Sequence, residues 1–247
     1  MDGKAALVTG GAHGLGRAAC GLLAARGARV LVVDVDEEAA RAAAEAVGGE
    51  FLVADVSRLD DNRAMVAAAR QRFGRLDFVY LNAGLASGCG VDGSFDEERY
   101  RRVMGVNLDG VVFGTHAALP LLEQSGGAIV ATASLAGLTS VPYDPLYAAN
   151  KHAVVGLARA LGPALAERGV RFNAVCPGFA ESRMTEDIRG PLEEAGIPMI
   201  PAADVAEAVL ALFTGEMTGE CWFVQPGRES AAFEFRGVPG PRAAAPG

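Results

Sequence analysis

Ala5-Ala6-Leu7-Val8-Thr9-Gly10-Gly11-Ala12-His13-Gly14-Leu15-Gly16 is a short apolar run that leads directly into a glycine-rich turn. An apolar pattern with helical spacing begins at Leu15. A strand, a glycine turn and a helix in this order leave backbone N–H groups free at the helix start, where phosphate groups bind. Glycine is 32 of 247 residues, so this context carries the prediction more than the glycine spacing does. The stretch predicts a dinucleotide-binding turn, and the alternative is a purely structural turn.

Outward from this turn, apolar runs alternate with helical patterns along the chain. Such runs, apolar on both faces, are typical of parallel strands, and they occur at residues 30–33, 51–54, 78–81, 128–132 and 172–175. Apolar residues with helical spacing occur at residues 15–22, 154–161 and 205–212. This alternation predicts the α/β class, with a single Rossmann-type doubly wound parallel sheet and helices on both faces.

No linker interrupts the pattern before residue 227, so we expect one domain over residues 1–227. Residues 228–247 are rich in Gly, Pro and Ala, which predicts a C-terminal arm without regular structure. A neighbouring subunit is expected to order this arm.

Composition and charge exclude several classes of protein. The net charge of −8 disfavours nucleic acid and anionic lipid surfaces as partners. The charge-free stretch at residues 124–143 contains three glycines and Pro142, which favours a buried strand and loop over a membrane span. The chain start shows no signal peptide pattern. The four cysteines are too scattered for a metal or redox motif, so we expect no metal site, reduced core thiols and a cytoplasmic location.

Asp34 ends the second apolar run, 18 residues after Gly16. A carboxylate at this place accepts hydrogen bonds from the adenosine ribose hydroxyls and repels a 2′-phosphate, which favours NAD over NADP. The alternative is a solvated loop acid, because Asp36, Glu37 and Glu38 follow.

Lysine usage gives the sharpest chemical signal. The chain has only two lysines, Lys4 and Lys151, and four tyrosines. A tyrosine four residues before a lysine is expected about 0.03 times by chance in this composition, yet Tyr147 stands there. Residues four apart share a helix face, so this spacing predicts an acid–base couple; the alternative is a surface pair.

The electrostatics of this couple favour a phenol that ionises near neutral pH. Lowering a phenol pKa from about 10 to about 7 requires roughly 4 kcal/mol. One cation about 4 Å away at an effective dielectric constant near 20 supplies about 4 kcal/mol. We therefore expect Lys151 alone to suffice to make Tyr147 acidic.

Together these motifs resemble the short-chain dehydrogenase/reductase family, in its NAD(P)-dependent branch, over residues 4 to about 227. Thr9-Gly10-x-x-x-Gly14-x-Gly16 is similar to the cofactor loop of the family, and Tyr147-x-x-x-Lys151 to its catalytic signature. Ser134 lies 13 residues before Tyr147, and Asn107 lies 27 before Ser134, in the order of the family's catalytic tetrad.

The resemblance implies four catalytic roles. Tyr147 is the acid/base, Ser134 orients the substrate oxygen, Lys151 also binds the nicotinamide ribose, and Asn107 holds a water in the proton relay. Taken alone, Ser134 and Asn107 would be read as ordinary polar residues.

The resemblance also implies NAD contacts elsewhere in the chain. Besides Tyr147 and Lys151, the implied cofactor-binding residues are Thr9, Gly10, Gly14, Leu15, Gly16, Asp34, Asp55, Val56, Asn82, Ala83, Gly84, Pro177, Gly178 and Ser182.

The expected function is NAD-dependent interconversion of a hydrophobic secondary alcohol and its ketone. The substrate site is expected from residues 84–95 and 179–201. Within residues 179–201, apolar residues alternate with charges as in a short amphipathic lid, and the alternative is ordinary packing. One alternative is an NADPH-dependent reductase of a ketone or acyl thioester, and another is a non-catalytic NAD-sensing regulator. The resemblance also implies a homodimer or homotetramer, with packing across residues 100–122 and 150–166.

Overall fold

Eight strands form a single sheet in the computed structural model, which describes residues 1–237. The strands are β1 Ala5–Thr9, β2 Arg29–Asp34, β3 Glu50–Val53, β4 Phe78–Leu81, β5 Ala128–Thr132, β6 Arg171–Pro177, β7 Cys221–Val224 and β8 Ala231–Ala232. Their order is β3-β2-β1-β4-β5-β6-β7-β8, and each neighbouring pair is parallel except β7 with β8.

Helices cover both faces of this sheet. They are α1 Gly14–Ala25, α2 Glu37–Val47, α3 Leu59–Phe73, α4 Glu97–Met104, α5 Gly110–Ser125, α6 Pro145–Ala166, α7 Arg189–Glu194 and α8 Ala202–Thr214. Buried residues of α1, α2 and α8 form one core cluster with the sheet, and those of α3, α5 and α6 form the other. Neighbouring strand residues face opposite clusters, as Val8 and Leu7 do, so each central strand must be apolar on both faces.

The predicted doubly wound α/β sheet is confirmed, and the six predicted strands form within two residues of their expected limits. β7 is missing from the sequence prediction, although Cys221–Val224 is an apolar run as long as β3 and β4, bounded by Gly219 and Pro226.

The prediction that residues 228–247 contain no regular structure is wrong for Ala231–Ala232. After a turn at Gly227, where φ is 70°, the chain reverses and pairs with β7, and Phe233 N donates to Cys221 O at 2.8 Å. The physical reason is that β7 would otherwise expose an unpaired edge of backbone N–H and C=O groups. Residues 238–247 of the predicted arm lie outside the described residues.

The strand order reverses between β1 and β4, because β2 lies on one side of β1 and β4 on the other. In open α/β sheets this reversal leaves a crevice at the carboxyl ends of the strands, where ligands bind. Among residues 1–237, no helix has the length and apolar character needed to cross a membrane.

Candidate active site

The crevice begins where β1 and β4 end side by side. The Thr9 hydroxyl accepts from Asn82 N at 3.0 Å and from Ala83 N at 3.2 Å. The Asn82 amide donates to Gly10 O at 3.1 Å. These bonds join the glycine turn to the segment after β4, so two of the predicted cofactor segments form one wall.

The glycine turn is shaped by close backbone approaches. Gly10 has φ 61°, and an added Cβ would lie 2.9 Å from Ala83 Cα. Gly14 has φ 46°, and an added Cβ would lie 3.2 Å from Ser182 Cα, in the loop after β6. Only glycine adopts these angles without strain and leaves this space.

The start of α1 is open to an anion. Its N-cap residue, His13, makes no side-chain cap, and its first turn, with Leu15 and Gly16, contains no acidic residue. The first N–H groups of a helix have no partner within the helix and carry partial positive charge. This turn could therefore hold a pyrophosphate.

Asp34 closes the far side of the turn at the end of β2, with its side chain half-buried. Its two carboxylate oxygens accept from Ala12 N at 3.1 Å and from Asp36 N at 3.2 Å. Each ionised oxygen has a second lone pair. The fixed carboxylate could therefore also accept from ribose hydroxyls.

Asp55 and Val56 follow β3 beside the crevice. Asp55 Oδ1 accepts from Ser57 N at 2.9 Å, and Val56 O accepts from the Asn62 amide at 2.8 Å. An added Cβ at Gly110 would lie 2.9 Å from Val56 Cγ2. The segment is thus held against α5, at the place where the resemblance puts an adenine contact.

Tyr147 and Lys151 lie in the first two turns of α6 and share a face, as their spacing predicts. Lys151 Nζ donates to Thr132 O, at the end of β5, at 2.8 Å and lies 5.6 Å from the Tyr147 ring centroid. Ser134, two residues after Thr132, accepts from Ala136 N at 3.1 Å and donates to Pro177 O at 3.4 Å.

Asn107 joins this group from a π-helical turn, Gly105–Asp109. Its Oδ1 accepts from Leu85 N at 2.8 Å, and its Nδ2 donates to Leu85 O at 2.9 Å. An added Cβ at Gly84 would lie 3.4 Å from Asn107 Oδ1 and 3.6 Å from Lys151 Nζ. The structure therefore brings the four predicted catalytic residues to one end of the crevice.

Burial dominates the protonation of the Tyr147–Lys151 couple. It raises the pKa of Tyr147 to about 12, although the nearby Ser134 hydroxyl acts in the opposite direction. Burial also lowers the pKa of Lys151 from 10.5 to about 8. The expectation that Lys151 alone makes Tyr147 acidic is therefore wrong for the protein by itself. Burial disfavours the phenolate, the charge of nearby Asp144 acts in the same direction, and the Lys151 amine is bonded to the Thr132 carbonyl.

Pro177, Gly178 and Ser182 border the crevice from β6 and the loop after it. Gly178 N donates to Val224 O at 3.1 Å, and an added Cβ at Gly178 would lie 3.2 Å from Leu135 Cδ1. This close packing holds the loop near Ser134.

The predicted lid at residues 179–201 is not one amphipathic helix. It consists of a 3₁₀ turn, Arg183–Thr185, and the short α7, and Ile200 bridges back to Ala180. The alternating apolar residues divide accordingly. Leu192 and Ile200 are buried in the protein, whereas Met184, Ile188 and Ile197 are exposed.

Three residues near this group escaped the sequence reasoning: Thr132, Ser87 and Asp144. Thr132 binds Lys151 through its backbone, which leaves no side-chain signal. Asp144 caps α6 by accepting from Tyr147 N at 3.0 Å, with Pro145 as the first helical residue. The Asp-Pro pair before an apolar helical pattern is a helix-start signal that could have revealed Asp144. Residues 1–237 contain no cluster of three metal-ligating side chains.

Comparison with known proteins agrees with this geometry. The sequence profile described as "short chain dehydrogenase" matches residues 4–192. Borneol dehydrogenase of Lavandula x intermedia is 34% identical over 221 residues, covering 87% of this chain and 85% of that protein.

Solved structures give the same result. The crystal structure of levodione reductase superposes with a TM-score of 0.85 at 32% identity, covering 92% of this chain and 98% of that one. A 3-ketoacyl-(acyl-carrier-protein) reductase from Brucella melitensis, complexed with NADH, gives a TM-score of 0.86 at 30% identity over the same shares. The chain thus belongs to the short-chain dehydrogenase/reductase family of oxidoreductases.

Proposed function

We propose that the protein is an NAD-dependent oxidoreductase that interconverts a hydrophobic secondary alcohol and its ketone. One observation carries the proposal: Asn107, Ser134, Tyr147 and Lys151 meet beside the crevice that the glycine turn opens. Borneol dehydrogenase and levodione reductase are named for a cyclic alcohol and a cyclic diketone. Their names support the substrate class.

The residues present fit a nicotinamide dinucleotide. The uncapped start of α1 suits its pyrophosphate, and the space beside Gly10 and Gly14, which a Cβ would fill, suits a close backbone approach. The Asp34 carboxylate suits unphosphorylated ribose, because two anions so close repel each other. This supports NAD over NADP.

A nicotinamide held at this turn would supply the hydride chemistry, as acceptor from the carbinol carbon in oxidation and as donor to the carbonyl carbon in reduction. Tyr147 donates a proton to the substrate oxygen in reduction and accepts it in oxidation. With its pKa raised, this phenol carries its proton at neutral pH, the state that reduction needs. Oxidation should therefore accelerate as the pH rises.

The other three residues position the reacting groups. Ser134 would hydrogen-bond the substrate oxygen, and Lys151, whose amine lies between the Tyr147 ring and Thr132, would bind the nicotinamide ribose. The Asn107 side chain accepts one hydrogen bond from Leu85 N and donates one to Leu85 O. A second lone pair and a second N–H remain for a water.

The exposed hydrophobic side chains are the basis for proposing an apolar substrate. Ten large hydrophobic residues are exposed within residues 1–237, and six of them lie in residues 84–95 and 179–201 or just before α6. These six are Val91, Phe95, Tyr143, Met184, Ile188 and Ile197. Such a concentration suits an apolar ring better than a charged substrate.

The test measures oxidation of cyclohexanol and borneol with NAD or NADP, and reduction of the matching ketones, by nicotinamide absorbance. We expect turnover with NAD and weak binding of NADP. Efficient turnover only with NADPH, or of an acyl thioester, would replace this proposal with the alternative reductase. NAD binding without turnover of any of these compounds would indicate a regulator.

We also propose a homodimer or homotetramer and a reducing compartment such as the cytoplasm. Exposed apolar or small residues on the two long helices, including Val112 on α5 and Gly156 on α6, support self-association. The four free, buried cysteines support the compartment. Sedimentation equilibrium measures the number of subunits.

A further inference from the structure

Asp144 lies outside the predicted tetrad, three residues before Tyr147. Its Oδ1 accepts from Tyr147 N at 3.0 Å and caps α6. Pro145 begins the helix with its backbone angle already fixed. The Asp144 carboxylate therefore fixes the helical turn that carries the phenol.

The same carboxylate holds the loop that follows β4. Ser87 N donates to Asp144 Oδ2 at 3.3 Å, and the Ser87 hydroxyl donates to Asp144 Oδ1. Ser87 is fully buried, its hydroxyl lies 3.2 Å from Cys89 O, and Arg99 Nε donates to Ser87 O. Together with the Leu85–Asn107 bonds, this gives the loop two anchors, both attached to the proposed catalytic group.

We propose that Asp144 is a positioning residue, which fixes the position of the substrate loop, residues 84–95, relative to the phenol of Tyr147. One side chain bonds both partners, so the apolar loop and the proton-transferring group keep a fixed separation. The inference rests on the proposed function, because the loop is a substrate wall only if the protein acts on an alcohol or ketone.

A carboxylate can accept all three of the hydrogen bonds made at this position. Ser, Thr, Asn and Asp all cap helices well. Here, however, three donors converge on one side chain: Tyr147 N, Ser87 N and the Ser87 hydroxyl. Asparagine has one acceptor oxygen, and its NH₂ group would face a donor. Asp144→Asn should therefore keep the cap, lose the bond from Ser87 N and weaken the anchor of the loop.

The first test follows the loop without using activity. Cys89 is 8% exposed, whereas Cys20, Cys176 and Cys221 are at most 1% exposed. We expect Asp144→Asn and Ser87→Ala to speed modification of one thiol by Ellman's reagent about tenfold, since charge-assisted hydrogen bonds restrain the loop. Adding Cys89→Ser should abolish the faster phase.

The matched control is Asp96→Asn, at the N-cap of α4, where the carboxylate accepts from Arg99 N at 3.0 Å. This control should leave thiol reactivity unchanged, and circular dichroism checks that each variant is folded. Unchanged Cys89 reactivity in folded Asp144→Asn would overturn the anchor.

The second test separates KM from kcat, with cyclohexanol and NAD as the probes. Asp144→Asn and Ser87→Ala should raise the KM for cyclohexanol about tenfold, change kcat less, and leave the Kd for NAD within about twofold, because the displaced loop is the proposed substrate wall. Asp96→Asn should match the wild type. Wild-type KM in both loop variants would overturn the positioning role. A wild-type protein that oxidises no cyclic alcohol would overturn the proposed function. The thiol assay would still show whether Asp144 restrains the loop.

Discussion

Lys151 is one of two lysines in the chain, and its amine is buried against the Thr132 carbonyl. Burial disfavours its charged form and lowers its pKa to about 8. Between about pH 8 and 10.5 the folded protein therefore binds fewer protons at this site than the unfolded chain. The site's contribution to stability consequently rises with pH across that window and is least favourable below it.

Lys151→Met should raise the free energy of unfolding at pH 7 by about 1–2 kcal/mol, because removal of a buried charge outweighs the cost of leaving one carbonyl unpaired. Urea unfolding at pH 7 and pH 10 measures the gain, which should shrink at the higher pH. Lys4→Met is the control, since it breaks an ion pair with buried Asp77 and should destabilise. A gain that does not change with pH would contradict this account.

Asp34 should set the cofactor preference through its charge. Asp34→Asn keeps an acceptor for Ala12 N and removes the anion. The ratio of NADP to NAD affinity should rise at least about tenfold, as expected when a close like-charge repulsion is lost. Calorimetric titration of both dinucleotides measures this ratio. Glu38→Gln, on an exposed residue nearby, should leave this affinity ratio unchanged. An unchanged ratio in Asp34→Asn would show that Asp34 is an ordinary loop acid.

At this scale the sequence predicts residues whose chemistry is rare at their spacing. Tyr147 and Lys151 stand out because lysine is scarce, and the structure places them on one helix face. The anchor between Ser87 and Asp144 joins residues 57 positions apart. No local pattern predicts such a contact, nor the desolvation that raises the pKa of Tyr147.

Among the elements, α1 and the loop after β6 meet at Gly14 and Ser182. Gly14 has φ 46°, and the loop leaves no free room for a side chain. Gly48 provides a matched position, with φ 61° at the end of α2 and no atom within 4 Å of an added Cβ.

Gly14→Ala and Gly48→Ala should each lose about 1 kcal/mol of stability from the left-handed backbone angle. Only Gly14→Ala should also lower NAD affinity, by about tenfold or more, because the displaced turn is the proposed pyrophosphate site. Thermal unfolding and calorimetry measure the two effects. Equal NAD affinity in both variants would show that this turn does not bind the cofactor.

Elements with a regular apolar pattern follow from the sequence, and elements that depend on pairing or packing with distant residues do not. The central strands are apolar on both faces, as predicted, whereas β8 has two residues and depends on pairing with β7. The π-helical turn at Gly105–Asp109 has no periodicity of its own. It depends on packing, with an added Cβ at Gly105 lying 3.1 Å from Ser57 Cβ.

Over the whole molecule, the two core clusters share one sheet, since alternate residues of each central strand belong to different clusters. Neither cluster can lose its packing while the sheet stays intact. We therefore expect residues 1–227 to unfold in one transition, as a single domain. Fluorescence of Trp222, the only tryptophan, and far-ultraviolet circular dichroism should give coincident urea curves. Separate midpoints would contradict a single domain.

The central claim is that the Tyr147 phenol moves the proton while bound NAD exchanges the hydride. Tyr147→Phe keeps the ring beneath the Lys151 amine and removes only the hydroxyl. The decisive measurement is kcat for alcohol oxidation beside the Kd for NAD, with Tyr100→Phe on α4 as the control. The account predicts unchanged NAD affinity and a loss of turnover of about two orders of magnitude or more in Tyr147→Phe. Turnover comparable to that of the wild type would contradict it.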